Sequence, residues 1–233
     1  MTILGLETAT ERLSVALLID NDTLEKHTDS KSSHCELING FVSELLLESS
    51  LDFENIDCVA VSIGPGSFTG LRIGIASAMG FAYAAGKPAC GINTLMGIAW
   101  YSGFPGTLVC PLIDAKRCEA YTALYRLGTD APHEILAPSA MPLPELAHLL
   151  EQQGEPVTIT GPATSVFRDI LKESDADLVF VDHDESQPSA VSIAQLGRIY
   201  CKAGKCMNPS EVKPLYLRRS DAEILRDTHC RQS

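Results

Sequence analysis

Short apolar runs and polar breaks alternate along the chain, and their period switches between that of a strand and that of a helix. Ile3 to Glu7 reads as a buried strand, Thr8 to Arg12 as a polar turn, and Leu13 to Ile19 as a returning strand. Asn21-Asp22 turns into a third, more polar strand. Ser33 and Glu36 then stand at capping-box spacing, so a helix is predicted to start there. Leu37, Ile38, Phe41, Val42, Leu45 and Leu46 give that helix one apolar stripe. Cys58 to Ile63 is a further buried strand. The loop Gly64-Pro65-Gly66-Ser67-Phe68-Thr69-Gly70 opens a second helix, which runs to about Ala85 and ends at Lys87-Pro88. A strand over Ala89 to Ile92 and a helix from Thr94 to about Ser102 follow.

Gly103-Phe104-Pro105-Gly106 is the strongest boundary signal, dividing the chain into lobes of residues 1–103 and 104–233. Beyond it the pattern begins again. Leu108 to Ile113 is a buried strand, Asp114 to Arg117 a turn, and Cys118 to Leu127 a returning strand. A helix near Pro144 to Gln153, a strand at Val157 to Thr160, a helix near Ser165 to Lys172 and a strand at Leu178 to Val181 come next. A last helix, 189–203, is free to pack back on the first lobe. Two halves that each open with a hairpin and then alternate helix with strand predict an α/β protein with a duplicated, actin-like fold.

The 233 residues suffice for two such lobes. Eighteen basic against thirty acidic side chains give a formal charge of −12, which opposes direct binding to nucleic acid or to anionic membranes. The first residues lack a basic stretch before their apolar run, and no uncharged run is long enough to span a bilayer, so a soluble cytoplasmic protein is expected. Eight cysteines are scattered without a C-x-x-C pair and are read as small buried hydrophobes. No two of the six histidines stand at metal-ligand spacing, and H-E-x-x-H and G-x-S-x-G are missing. Neither a metal site nor a catalytic residue is therefore expected.

Four features remain as candidates. The loop carrying Gly64, Gly66, Ser67 and Thr69 lies between strand and helix, where backbone N–H groups and the helix dipole favour an anion. It fits neither a P-loop nor G-x-G-x-x-G, and a tight turn capped by Ser67 or Thr69 explains it equally. Glu7 and Asp114 end the first strands of the two hairpins; such carboxylates bind a nucleotide's metal in an actin-like kinase, or are simply solvated. The helix from Gly70 to Ala85 carries one charge, Arg72, and a ridge of small residues at Gly70, Gly74, Ala78, Ala82 and Gly86. An apolar helix must be covered all round, so a partner chain is expected against Gly70, Leu71, Gly74, Ile75, Ala78, Met79 and Ala82, joined by Leu37, Phe41 and Leu45. A large residue at Gly74 or Ala78 is then expected to abolish pairing and spare the fold. Lys213, Arg218 and Arg219 form a mild basic patch, either a solvated tail or a tRNA contact.

Three of these segments together carry a resemblance: residues 4–10, Leu-Gly-Leu-Glu-Thr-Ala-Thr; residues 64–74, from Gly64 to Gly74; and residues 113–117, Ile-Asp-Ala-Lys-Arg. In order and spacing, over essentially the whole chain, they resemble the TsaB (YeaZ) family, once grouped with glycoproteases. The resemblance implies an actin-like fold and service in the synthesis of N6-threonylcarbamoyladenosine beside the tRNA anticodon. It implies a chain that binds and activates a catalytic paralogue, TsaD, works with an ATPase, TsaE, and pairs with itself when alone. It implies no tightly held cofactor, with ATP or ADP at most at the partner interface, and only indirect or weak tRNA contact. The catalytic paralogue carries an H-x-x-x-H metal motif where Thr94 and Ile98 stand here, and neither side chain replaces imidazole. The alternatives are an independent actin-like kinase, with Glu7, Asp114 and the glycine loop as its cleft, and a peptidase, which needs a nucleophile–base pair.

Overall fold

The computed structural model describes residues 1–29, 34–181 and 186–218. Strand β1 (Thr2–Glu7) pairs antiparallel with β2 (Leu13–Ile19), and β2 pairs antiparallel with β3 (Asp22–Thr28). On its other edge β1 runs parallel to β4 (Cys58–Gly64), and β4 parallel to β5 (Ala89–Asn93). Helices α1 (His34–Ser49) and α2 (Phe68–Ala85) make the two crossovers, and α3 (Thr94–Ser102) follows β5. Parallel neighbours require such crossovers, whereas antiparallel ones close with short turns.

The same succession then recurs. Strands β6 (Leu108–Asp114), β7 (Glu119–Leu127) and β8 (Pro132–Pro142) precede α4 (Leu143–Glu151), β9 (Val157–Thr160), α5 (Thr164–Leu171), β10 (Leu178–Phe180) and α6 (Ala190–Lys202). The sheet orders are β3-β2-β1-β4-β5 and β8-β7-β6-β9-β10, the same arrangement twice. This is a duplicated actin-like α/β fold.

Residue alternation along β1 sorts the layers. Leu4 and Leu6 face α1 and α2 with Ile38, Val42, Leu45 and Ala78. Ile3, with Ala60 and Ile92 of the neighbouring strands, faces α6 through Ile193, Ala194 and Leu196. In the second sheet Leu112 and Ile159 meet α4 and α5, while Val109, Ile113 and Tyr125 meet α3 through Leu95, Ile98 and Ala99. Each buried Leu or Ile in these layers contributes about 2 kcal/mol by leaving water. The last helix of each half thus lies on the other half's sheet, and the two helices meet where Trp100 Nε1 donates to Gln195 Oε1 at 3.0 Å. Close approach depends on absent side chains: a Cβ on Gly5 would stand 2.5 Å from the carbonyl oxygen of Ala190, and one on Gly197 2.5 Å from Ala60 Cβ.

Strand β8 was not foreseen in the sequence pattern. It contains prolines and polar residues, and it sits at an edge with register shifts in its ladder to β7, where a missing N–H is tolerated. The Ser33–Glu36 capping pair cannot be placed, since Ser33 lies outside the described residues.

Candidate functional site

The glycine loop is tied down from three sides. Gly64 has φ +116°, which suits only glycine, and its N–H donates to Thr94 Oγ1 at 3.1 Å. Ser67 caps α2 by accepting from the Gly70 N–H at 3.2 Å, and its own N–H donates to the Ala9 carbonyl at 2.7 Å. Gly66, Gly70 and Gly74 form a trough that receives the Thr8-Ala9 turn. A Cβ on them would stand 2.2 Å from Ala9 O, 2.1 Å from Thr8 O and 2.1 Å from Thr8 Oγ1. The Thr8 hydroxyl donates to the Gly70 carbonyl at 2.9 Å. From the other side the C-terminal strap reaches the loop, with the Leu215 N–H donating to Ile63 O at 2.7 Å. The glycines therefore admit the protein's own backbone. Thr69 stays exposed on the first turn of α2.

Glu7 and Asp114 end equivalent strands but have opposite surroundings. Glu7 is wholly buried; one carboxyl oxygen accepts the Ala9 N–H at 2.6 Å and the other has no hydrogen-bond partner. Burial pushes its pKa up to about 7, against the lowering effect of hydrogen bonds from Ala9, Ser62 and Thr8. Asp114 is half-exposed and accepts from the Lys116 N–H at 2.7 Å and from Lys116 Nζ at 2.6 Å. Its partial burial works upward, but the Lys116 side chain and backbone together hold the carboxyl below its ordinary range. Lys116 in turn feels the charge of Glu11, so the two hairpin turns lie within electrostatic reach of each other. Thr94 and Ile98 are both buried, the first holding Gly64 and the second packed in the core.

The small-residue ridge of α2 needs correction. Gly70, Leu71, Gly74, Ile75, Ala78 and Ala82 are buried inside this chain, against the Thr8 turn and the first sheet, and so do not face outward. Leu45 is buried too, while Leu37, Phe41 and Met79 are half-buried at the rim. The reasoning that a bare ridge must await a second polypeptide failed because the protein's own sheet fills it. A different column is open. Ala76, Gly80 and Ala84 are exposed one turn-width around the helix, and with Asn39 and Ser43 of α1 and Phe53 they line a shallow groove. A Cβ on Gly80 or on Gly40 would meet nothing within 4 Å.

The basic patch is partly engaged. Arg218 donates to Ala115 O at 3.0 Å and pairs with Glu119 at 3.2 Å, and Arg219 lies outside the described residues. Sequence reasoning missed one grouping altogether: Cys58, Cys90, Cys201 and Cys206 place their four sulfurs within 4.8 Å of one another. Cys201 and Cys206 are joined as a disulfide. Cys58, Cys90 and the Cys201–Cys206 pair are far apart in the chain, and only strand pairing and the return of α6 to the first sheet bring them together. Among the described residues, no helix is long and apolar enough to cross a membrane.

Comparison with known proteins places this geometry. Residues 25–225 match the family model described as TsaD, tRNA N6-adenosine threonylcarbamoyltransferase. The tRNA threonylcarbamoyladenosine biosynthesis protein TsaB of Escherichia coli K12 is 35% identical over 228 residues, covering 95% of this chain and 96% of that protein. The protein of the same name from Bacillus subtilis 168 is 26% identical over 225 residues, 96% of each chain. The solved structure of YeaZ from Pseudomonas aeruginosa superposes with a TM-score of 0.79 at 25% identity, covering 93% of this chain and 99% of that one. A second structure, described as an uncharacterized protein similar to peptidase YeaZ from the same organism, reaches 0.82 with the same identity and coverage.

Proposed function

This chain belongs to the TsaB family, and from that premise we propose that it is a non-catalytic partner subunit in the synthesis of N6-threonylcarbamoyladenosine in tRNA. Its task in this reading is to bind the catalytic subunit TsaD and keep it active, in a system that includes the ATPase TsaE. Alone it pairs with a second copy through the same face. The observation that carries the reading is the trough at Gly66, Gly70 and Gly74. The anion site that the glycine loop offers in the sequence is closed, because its trough holds Thr8 and Ala9. Glu7, which would have to face a metal, is sealed beneath that turn with its charge disfavoured near neutral pH. Neither a kinase nor a peptidase mechanism gains support from that arrangement, and no tightly held nucleotide is needed on this chain.

The binding face follows from what is left open. The outer groove between α1 and α2, with Ala76, Gly80 and Ala84 on one wall, lets another helix approach closely. Because a side chain at Gly80 enters open space, Gly80→Arg should fold normally and block that approach. The expected result is a monomeric chain with unchanged thermal stability that no longer co-purifies with the catalytic subunit. A Gly80→Arg chain that pairs as well as wild type would move the interface elsewhere.

A further inference from the structure

Four cysteines from three separate pieces of backbone converge beside the first sheet. Cys58 starts β4, Cys90 lies on the adjacent parallel strand β5, Cys201 is in the last turn of α6, and Cys206 follows that helix. Cys58 Sγ stands 3.8 Å from Cys90 Sγ and 3.6 Å from Cys206 Sγ. Four thiolates about 2.3 Å from a tetrahedral zinc ion are about 3.8 Å apart, which is the spacing of Cys58 to Cys90 and to Cys206, while Cys201 and Cys206 are joined as a disulfide and must separate to reach it.

Each sulfur is held in place by backbone that does not depend on a metal. Paired strands fix Cys58 and Cys90. Gly204, at φ +69°, turns the chain after α6, and the Lys205 N–H returns to Tyr200 O at 2.9 Å. Met207 then makes two backbone hydrogen bonds with Ala89, at 3.1 and 2.9 Å, which sets Cys206 beside β5. The surroundings are apolar, with Ile3, Leu18, Leu196 and Ile199 in the same cluster.

We propose that the reduced chain binds one zinc ion through Cys58, Cys90, Cys201 and Cys206, as a closed structural site. Four soft thiolates in tetrahedral array favour zinc over calcium or magnesium, and with no open position the ion would not be catalytic. The ion replaces four protons on four thiols. From the disulfide form the site is reached once a thiol or phosphine reductant delivers two electrons and two protons to the Cys201–Cys206 bond. The ion would tie α6 and the strap that begins at Cys206 to β4 and β5. That strap continues to the glycine loop and to Arg218, whose contacts are Ala115 and Glu119 in the second half.

The test uses the full chain, reduced with a phosphine, equilibrated with zinc or with cobalt, and desalted. The expected result is about one equivalent of retained metal, visible absorption of tetrahedral cobalt–thiolate in the cobalt form, and a lower melting temperature after chelation. Cys58 and Cys90 are core residues whose loss can unfold the sheet, so the decisive variants are the half-buried Cys201→Ser and Cys206→Ser. Each should lose the metal and the cobalt absorption while keeping its circular dichroism, and Cys118→Ser, at an exposed free cysteine, should lose neither. A reduced wild-type chain that retains no metal, or serine variants that retain as much as wild type, would overturn the site and leave the disulfide alone.

Discussion

Glu7 shows how much one buried side chain can set. Its carboxyl has a pKa of about 7 when folded and about 4.5 when exposed, so between those values the folded chain binds more protons than the unfolded one. Stability must therefore fall as pH rises from about 4.5 to about 7, by about 3 kcal/mol from this group alone. Glu7→Gln keeps the acceptor for the Ala9 N–H without the charge. Its melting temperature should gain most on wild type at pH 8 and least at pH 5, as read by thermal melts across that range. The glycines make an opposite pair. Gly70→Ala drives a methyl group into the Thr8 carbonyl and should cost about 3 kcal/mol. Gly80→Ala meets open space in the middle of a helix and should add about 0.5–1 kcal/mol. Urea midpoints of the two variants should shift in opposite directions.

The helices and strands were legible wherever the apolar period was clean. Helices α3 to α6 lie within about two residues of their sequence-read bounds, and α2 ends at Ala85 as read, because glycine, proline and capping signals flank them. Strand β8 was not legible, since an edge strand with prolines obeys pairing geometry more than pattern. For α2 the sequence announced a small-residue ridge but not what would fill it. Hydrophobic pattern says that a face is covered, and only the packing says by whom. The glycine loop was likewise visible as a special turn, yet its role in admitting Thr8 required the folded first hairpin. The cysteine cluster had no local signal beyond the Cys201–Cys206 spacing, because its members come from three chain segments joined by tertiary contacts. Gly74→Leu, placed in the buried ridge, is expected to reduce soluble folded protein and not pairing alone. Comparing its circular dichroism with that of Gly80→Arg separates damage to the fold from damage to a surface.

The molecule as a whole is a repeat whose two copies differ at the ends of their first strands. The strand order is identical in both halves, and each half's last helix covers the other's sheet. Yet Glu7 is entombed where Asp114 is half-exposed and paired with Lys116, and the glycine loop of the first half is filled by its own chain. The surface assigned to the partner in the proposed role is the outer groove of α1 and α2. The most direct measurement is threonylcarbamoylation of tRNA by purified TsaD and TsaE, supplied with ATP and an activated threonylcarbamoyl donor, with this chain added, omitted, or replaced by its Gly80→Arg form. Modified adenosine should accumulate only with the wild-type chain, and this chain alone should form none. Equal product without it, or full activity with Gly80→Arg, would contradict the partner role or the face assigned to it.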